Sequence, residues 1–232
     1  MGQRGQAFAA TEASCPAAEH DHWLSHHMRQ QIQQRFEHNI GRVRNLLTLY
    51  RNLAPRGQGR RPVHATDMLR SALVLLHASL EDVLRSVAAW KFPASGEAVL
   101  NDVPLVGLGE GGRPEKFHLG KLVPHRAKSV QALIDESVKA AINRMSFNNT
   151  TDIASILGRV GVDPQVFQWH FPRLAPMIER RHHIVHQADR NDQPGVGQFR
   201  TRSLSMETVE GWLVSTEDFV GELLRQIPDD LV

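Results

Sequence analysis

Residues 67–91 read DMLRSALVLLHASLEDVLRSVAAWK. Leu69, Ala72, Leu73, Leu76, Leu80, Val83, Leu84 and Val87 fall three and four positions apart. That is the period of an α-helix with one apolar face, whereas a half-buried strand would alternate at every second residue. The pattern predicts a helix over about 65–91, with Thr66 or Asp67 near its N-cap.

The same period continues on either side. Leu24, Met28, Ile32, Phe36, Ile40, Val43, Leu47 and Tyr50 predict a long helix over about 20–53, closed by the Pro55-Arg56-Gly57-Gln58-Gly59 run. Residues 92–117 hold most of the mid-chain glycine and proline and read as a loop. Helices are expected over about 126–145 and 151–160, the second ending at Gly161 as a helix C-cap often does. Asp163-Pro164 starts a further helical turn. Pro172 and Pro176 interrupt the next pattern, so a helix is expected to begin near Pro176, where a first-turn proline is tolerated, and to reach Ala188. Residues 193–197 form a loop, and a last helix spans about 206–226 after Ser205. Residues 1–19 are small and polar, and read as a mobile tail. With no sustained alternation anywhere, the chain is expected to be all-α, a single domain over 20–232.

Composition narrows the function classes. The 232 residues carry a formal net charge of +2, so nucleic-acid binding would have to come from local clustering and not from a global basic field. Cys15 is the single cysteine, which excludes a disulfide framework or a cysteine-rich zinc site and fits a reducing, cytoplasmic setting. No apolar run approaches a membrane span, and the N-terminus shows no apolar signal core. Asn148-Asn149-Thr150-Thr151 contains glycosylation sequons, without meaning in such a compartment.

The chemistry-bearing residues crowd into ERRHHIVHQADR, residues 179–190. On a helical wheel with Leu174 at zero, Met177, Ile178, Ile184, Val185 and Ala188 cluster in one direction. Arg181 falls in the middle of that apolar stripe. Arg180, His183 and Arg190 point away, and His182, Asp189 and His186 follow one shoulder. An arginine among apolar neighbours needs an anion. Glu81, flanked on its own helix by His77 and Arg85, is one candidate; Asp82 lies on the other side. A phosphodiester, which suits the guanidinium fork, is a second. A structural ion pair and a partly exposed histidine shoulder remain the ordinary alternative.

Arg181-His182-His183-Ile184-Val185-His186 resembles the R-x4-H motif of the HEPN superfamily, all-α domains of which many are metal-independent ribonucleases. The segments 71–85, 117–138, 144–153 and 157–163 resemble the corresponding parts of the RiboL-PSP type of HEPN domain, so the likeness covers roughly residues 20–226. It implies an antiparallel helical bundle and a homodimer with facing motifs. It also implies an endoribonuclease that uses the 2′-hydroxyl of RNA as nucleophile and needs no cofactor, acting as a toxin or antiphage effector under an antitoxin or sensor partner. His186 would transfer protons, since imidazole titrates near neutrality. Arg181 would bind the phosphate and stabilise transition-state charge. His182 would orient the phosphate or His186, and Glu81, with Asp82 in reserve, would hold Arg181. Arg85, Arg180 and Arg190 are candidates to guide the RNA backbone, against the alternative of plain surface charges. HEPN toxins silenced by a nucleotidyltransferase carry a tyrosine where this chain has Ala188, so that modification is not expected here.

Three rivals compete. His182 and His186, spaced i, i+4 with Asp189 beyond, offer a thin metal site. Residues 107–112 match G-x-G-x-x-G by letter but lack a βαβ setting, and read as a glycine loop. A catalytically inactive HEPN-like module for RNA binding or dimerisation is the serious alternative.

Overall fold

The computed structural model describes residues 17–53, 63–106, 119–191 and 201–228. Seven α-helices account for most of them: α1 (Ala17–Leu53), α2 (Val63–Lys91), α3 (Glu97–Leu100), α4 (Val130–Arg144), α5 (Thr150–Arg159), α6 (Phe171–Gln187) and α7 (Met206–Gln226). The all-α reading holds: among the described residues the β-type pairing is a lone antiparallel bridge between Arg190 and Thr201.

Helix α2 is the axis of the bundle, packed against α1, α4, α6 and α7. Its eight seam residues are all at most 1% exposed. Truncating a leucine in such a seam costs about 2–5 kcal/mol, because the cavity left behind collapses only partly. The side-chain pairs give the helix directions. Arg29 lies over Trp90 and Arg35 meets Asp82 and Ser86, so α1 and α2 are antiparallel. Arg44 meets Glu217 and Arg51 meets Glu210, so α1 and α7 are antiparallel as well. Arg70 meets Asp189 while Glu81 faces Arg181, so α6 also runs against α2.

Local signals explain several boundaries. Ser129, Asn149 and Ser205 accept hydrogen bonds from the third residue onward and cap α4, α5 and α7. Gly161 follows α5 with φ +81°, a region that other residues enter only at a cost.

Several expectations need correction. Helix α1 begins at Ala17, so the last three residues of the expected tail are helical, and residues 1–16 lie outside those described. Helix α2 begins at Val63, so Thr66 and Asp67 sit inside it and their side chains accept from Arg70 instead of capping the helix. The expected loop over 92–117 opens with a 3-10 turn at Phe92–Ala94 and the short α3; the glycine run at 107–112 is outside the described residues. A 3-10 turn at Leu119–His125 precedes α4, which starts four residues later than expected.

The largest difference is in α6. It begins at Phe171, with Pro172 in its first turn and Pro176 inside it. A first-turn proline loses no helical bond. Pro176 does forgo one, and both prolines lie on the exposed side of α6.

Candidate functional site

Helix α6 carries the 181–186 motif, and its buried residues Leu174, Met177 and Ile178 seat it in the core. Arg181 comes next on that stripe. Its side chain is 20% exposed, and it reaches across to α2 and to the turn between α4 and α5. One guanidinium nitrogen, Nη2, lies 4.0 Å from Glu81 Oε1, a long ion pair. The other, Nη1, donates to Asn148 Oδ1 at 3.3 Å.

Glu81 stands at the centre of a charged cluster. Its carboxylate is 3.5 Å from Arg85 Nη2 and 3.8 Å from His77 Nδ1. Arg85 also donates to the Met145 carbonyl at 2.6 Å, with its guanidinium 5.6 Å from the Phe147 ring. His77 is fully buried, and its Nε2–H donates to the Phe147 carbonyl at 3.2 Å. Burial first, and the Arg181 guanidinium second, push the His77 pKa below the ordinary imidazole value, against the pull of Glu81. His77 is therefore neutral at neutral pH. The cluster then holds two guanidiniums and one carboxylate, a net single positive charge beneath a partly open surface. That matches the charge of one phosphodiester linkage.

Asp82 does not belong to this cluster. It pairs with Arg35 on α1, 3.1 Å away, on the other side of α2. Between the two acidic candidates, Glu81 is thus the one facing Arg181.

His182 and His186 are both exposed, one turn apart, with ring centroids separated by 4.5 Å. His183 is on the far side of α6, where its Nδ1–H donates to Gln187 Oε1 at 2.7 Å. It lines a concavity of about 410 Å³ together with Glu179, Arg180, Arg202 and Trp212. Arg181 and His186 do not share a face: five residues in a helix turn them by about 140° and separate them by about 7.5 Å along the axis.

The wheel fails beyond Gln187. Ala188 and Asp189 take positive φ, +50° and +56°, and both of their N–H groups return to the His183 carbonyl. Two successive left-handed residues other than glycine are uncommon and strained. What holds them is the Asp189 carboxylate, buried between Arg70 Nε at 2.7 Å and Arg180 Nη2 at 2.9 Å. The Asp189 carbonyl accepts from Arg202 N at 2.9 Å, and the Arg190–Thr201 bridge follows. Asp189 is therefore turned inward and not along the histidine shoulder, which removes the carboxylate from the supposed metal site. Among the described residues no group of three His, Cys, Asp or Glu side chains is placed to hold a metal ion.

Arg180 is 15% exposed and engages Asp189 together with the Arg202 and Ser203 carbonyls, which ties its guanidinium to the end of α6. Arg85, tied to Met145 and Glu81, shapes the floor of the cluster. Arg190 is exposed at the bridge, past the end of α6. Val185, expected in the apolar stripe, is 49% exposed, and Ala188 is exposed too.

Asn148 and Arg70 escaped the sequence reading. A pair of asparagines ahead of a helix signals a cap, and Asn149 is that cap; nothing in the local pattern brings Asn148 to Arg181.

No protein-family model, curated protein or solved structure matches this chain.

Proposed function

We propose that this protein is a metal-independent endoribonuclease of HEPN type, a toxin or antiviral effector that cuts RNA from within. The observation that carries the reading is Arg181: a mostly buried guanidinium, held by Glu81 and Asn148 in a cluster of two guanidiniums and one carboxylate. Two exposed imidazoles lie on the next flank of the same helix.

The chemistry follows from these groups. RNA brings its own nucleophile. A base takes the proton of the 2′-hydroxyl, whose oxygen attacks phosphorus. The P–O5′ bond breaks, and an acid gives the leaving oxygen its proton. The products are a 2′,3′-cyclic phosphate and a 5′-hydroxyl. Arg181 stabilises the charge that builds on the non-bridging oxygens, and His186 transfers a proton, oriented by His182.

One helix supplies one such set, and its arginine and proton-transfer histidine diverge. A second copy of the chain supplies the opposite wall and the second proton carrier. An uncovered apolar strip supports this assembly: Val74, Leu75 and Ala78 of α2, with Ile184 of α6, border a concavity of about 500 Å³, and the exposed Val185 follows Ile184. The described residues contain no helix long and apolar enough to cross a membrane, and RNA in the cytoplasm is the substrate this reading requires.

The test is cleavage of a single-stranded RNA in EDTA by the wild type, Arg181→Ala and His186→Ala, with end-group analysis. Both variants should fold and lose about 10²-fold or more in rate, as loss of one transition-state donor or one proton carrier does. Equal cleavage by both variants would overturn the assignment. RNA bound in gel shifts but left whole by the wild type would favour the inactive binding module.

A further inference from the structure

We infer that Asn148 is half of the phosphate clamp: its side-chain oxygen aims Arg181, and its amide N–H donates to a non-bridging oxygen of the scissile phosphate. This rests on the ribonuclease reading and adds to it a residue and a substrate atom.

The turn bearing Asn148 is fixed on both sides. Its backbone N–H donates to Asp152 Oδ2 at 3.1 Å, and Asn149 Oδ1 accepts from Asp152 N at 2.8 Å, so the residue is locked to the start of α5. On the other side, the buried Phe147 gives its carbonyl to His77, and Met145 gives its carbonyl to Arg85. The charged cluster of α2 thus holds the turn that presents Asn148. A displacement of either would disturb both.

The orientation of the amide follows from its partner. A guanidinium has donors only, so the atom facing Arg181 Nη1 at 3.3 Å must be the oxygen. The NH2 then points elsewhere. Asn148 is exposed, and among the described residues its NH2 has no acceptor. The result is a charged donor and a neutral donor on adjacent side chains, the neutral one on an exposed residue.

Residue chemistry explains why an amide suits this place. A carboxylate here would hold Arg181 more strongly but would cancel the cluster's net positive charge. Asparagine holds the guanidinium and leaves that charge for the substrate. It also contributes a donor that aspartate lacks.

The experiment uses a short RNA with one cleavable linkage, as the oxygen form and as the separate Rp and Sp phosphorothioates. Sulfur accepts hydrogen bonds poorly, so the wild type should slow on the diastereomer that places sulfur against Asn148. Asn148→Ala should cut the oxygen substrate about 10²-fold more slowly, the usual loss for one such donor. It should also lose most of the difference between the two diastereomers, which a structural role alone would leave intact. Asn148→Asp, equal in size, should be slowed at least as much, with KM raised as well as kcat lowered, because the added carboxylate cancels the positive charge that attracts the phosphate. Unchanged thermal melts establish that both variants fold. An unaltered Rp/Sp ratio in Asn148→Ala, or wild-type rates in Asn148→Asp, would overturn the inference. If the wild type itself leaves RNA whole, the nuclease reading fails separately. The clamp is then read from the affinity for a 2′-O-methyl oligonucleotide, where a Kd for Asn148→Asp equal to that of wild type overturns it.

Discussion

Replacing Asp189 by Asn tests the strained end of α6 without changing its shape. Asparagine is among the residues that best tolerate positive φ, so the backbone at +56° keeps a compatible side chain and the charge alone is lost. The carboxylate is 1% exposed and its partners Arg70 and Arg180 are 9% and 15% exposed, so solvent screens the interaction little. Removing one member of a buried ion network costs about 3–5 kcal/mol, because the opposite charges stay buried. Here Arg70 keeps Thr66, Asp67 and the Arg202 carbonyl, and Arg180 keeps the Arg202 and Ser203 carbonyls. These acceptors place the expected loss near the lower bound, about 3 kcal/mol. For a chain of this size that lowers the Tm by about 6–12 °C. Circular dichroism during urea and thermal unfolding reads both quantities, and hydrogen exchange at residues 183–190 should accelerate in step. A loss under about 1 kcal/mol, the range of exposed salt bridges, would refute the argument that this network holds the helix end.

Two further outcomes follow from the same structure. Ala188→Gly should raise stability by about 0.5–1 kcal/mol in urea unfolding, since relief of a left-handed alanine outweighs the added freedom of the unfolded chain. Stability should also fall between pH 6.5 and 5. Burial holds the pKa of His77 and of His170, packed among Phe167, Trp169 and Phe219, below the usual value. A lowered folded pKa means that the unfolded chain binds protons first as pH drops through about 6.5, so the stabilisation is complete above that pH and is lost below it. Denaturation midpoints at pH 7.5, 6.5 and 5.5 measure the effect, and His77→Gln should flatten part of the slope.

The sequence announced the helices well because their apolar seams obey one period. The α2 seam is buried as a unit, and so is the α1 seam from Ile32 to Tyr50. Arg181, placed by the wheel in the apolar stripe, does reach Glu81. The failures share a cause. A wheel assumes that the helix continues and that something covers its apolar side. Val185 is left uncovered, and beyond Gln187 the chain turns left-handed so that Asp189 swings inward. Pro176 misled in the opposite direction: α6 already begins at Phe171 and runs through it, since an internal proline costs a helical bond and bends a helix without having to end it. Arg70 and Asn148 were invisible for a third reason. Their partners are 119 and 33 residues away, and no local pattern encodes such a meeting.

The charged floor around Arg181 is stitched from three distant stretches of chain: α2, the turn before α5, and α6, which packs against both α2 and α7. No shorter piece contains it. During synthesis Glu81 and Asn148 emerge first and Arg181 last. An arrangement built this way is incomplete until α6 has left the ribosome and joined the two earlier stretches.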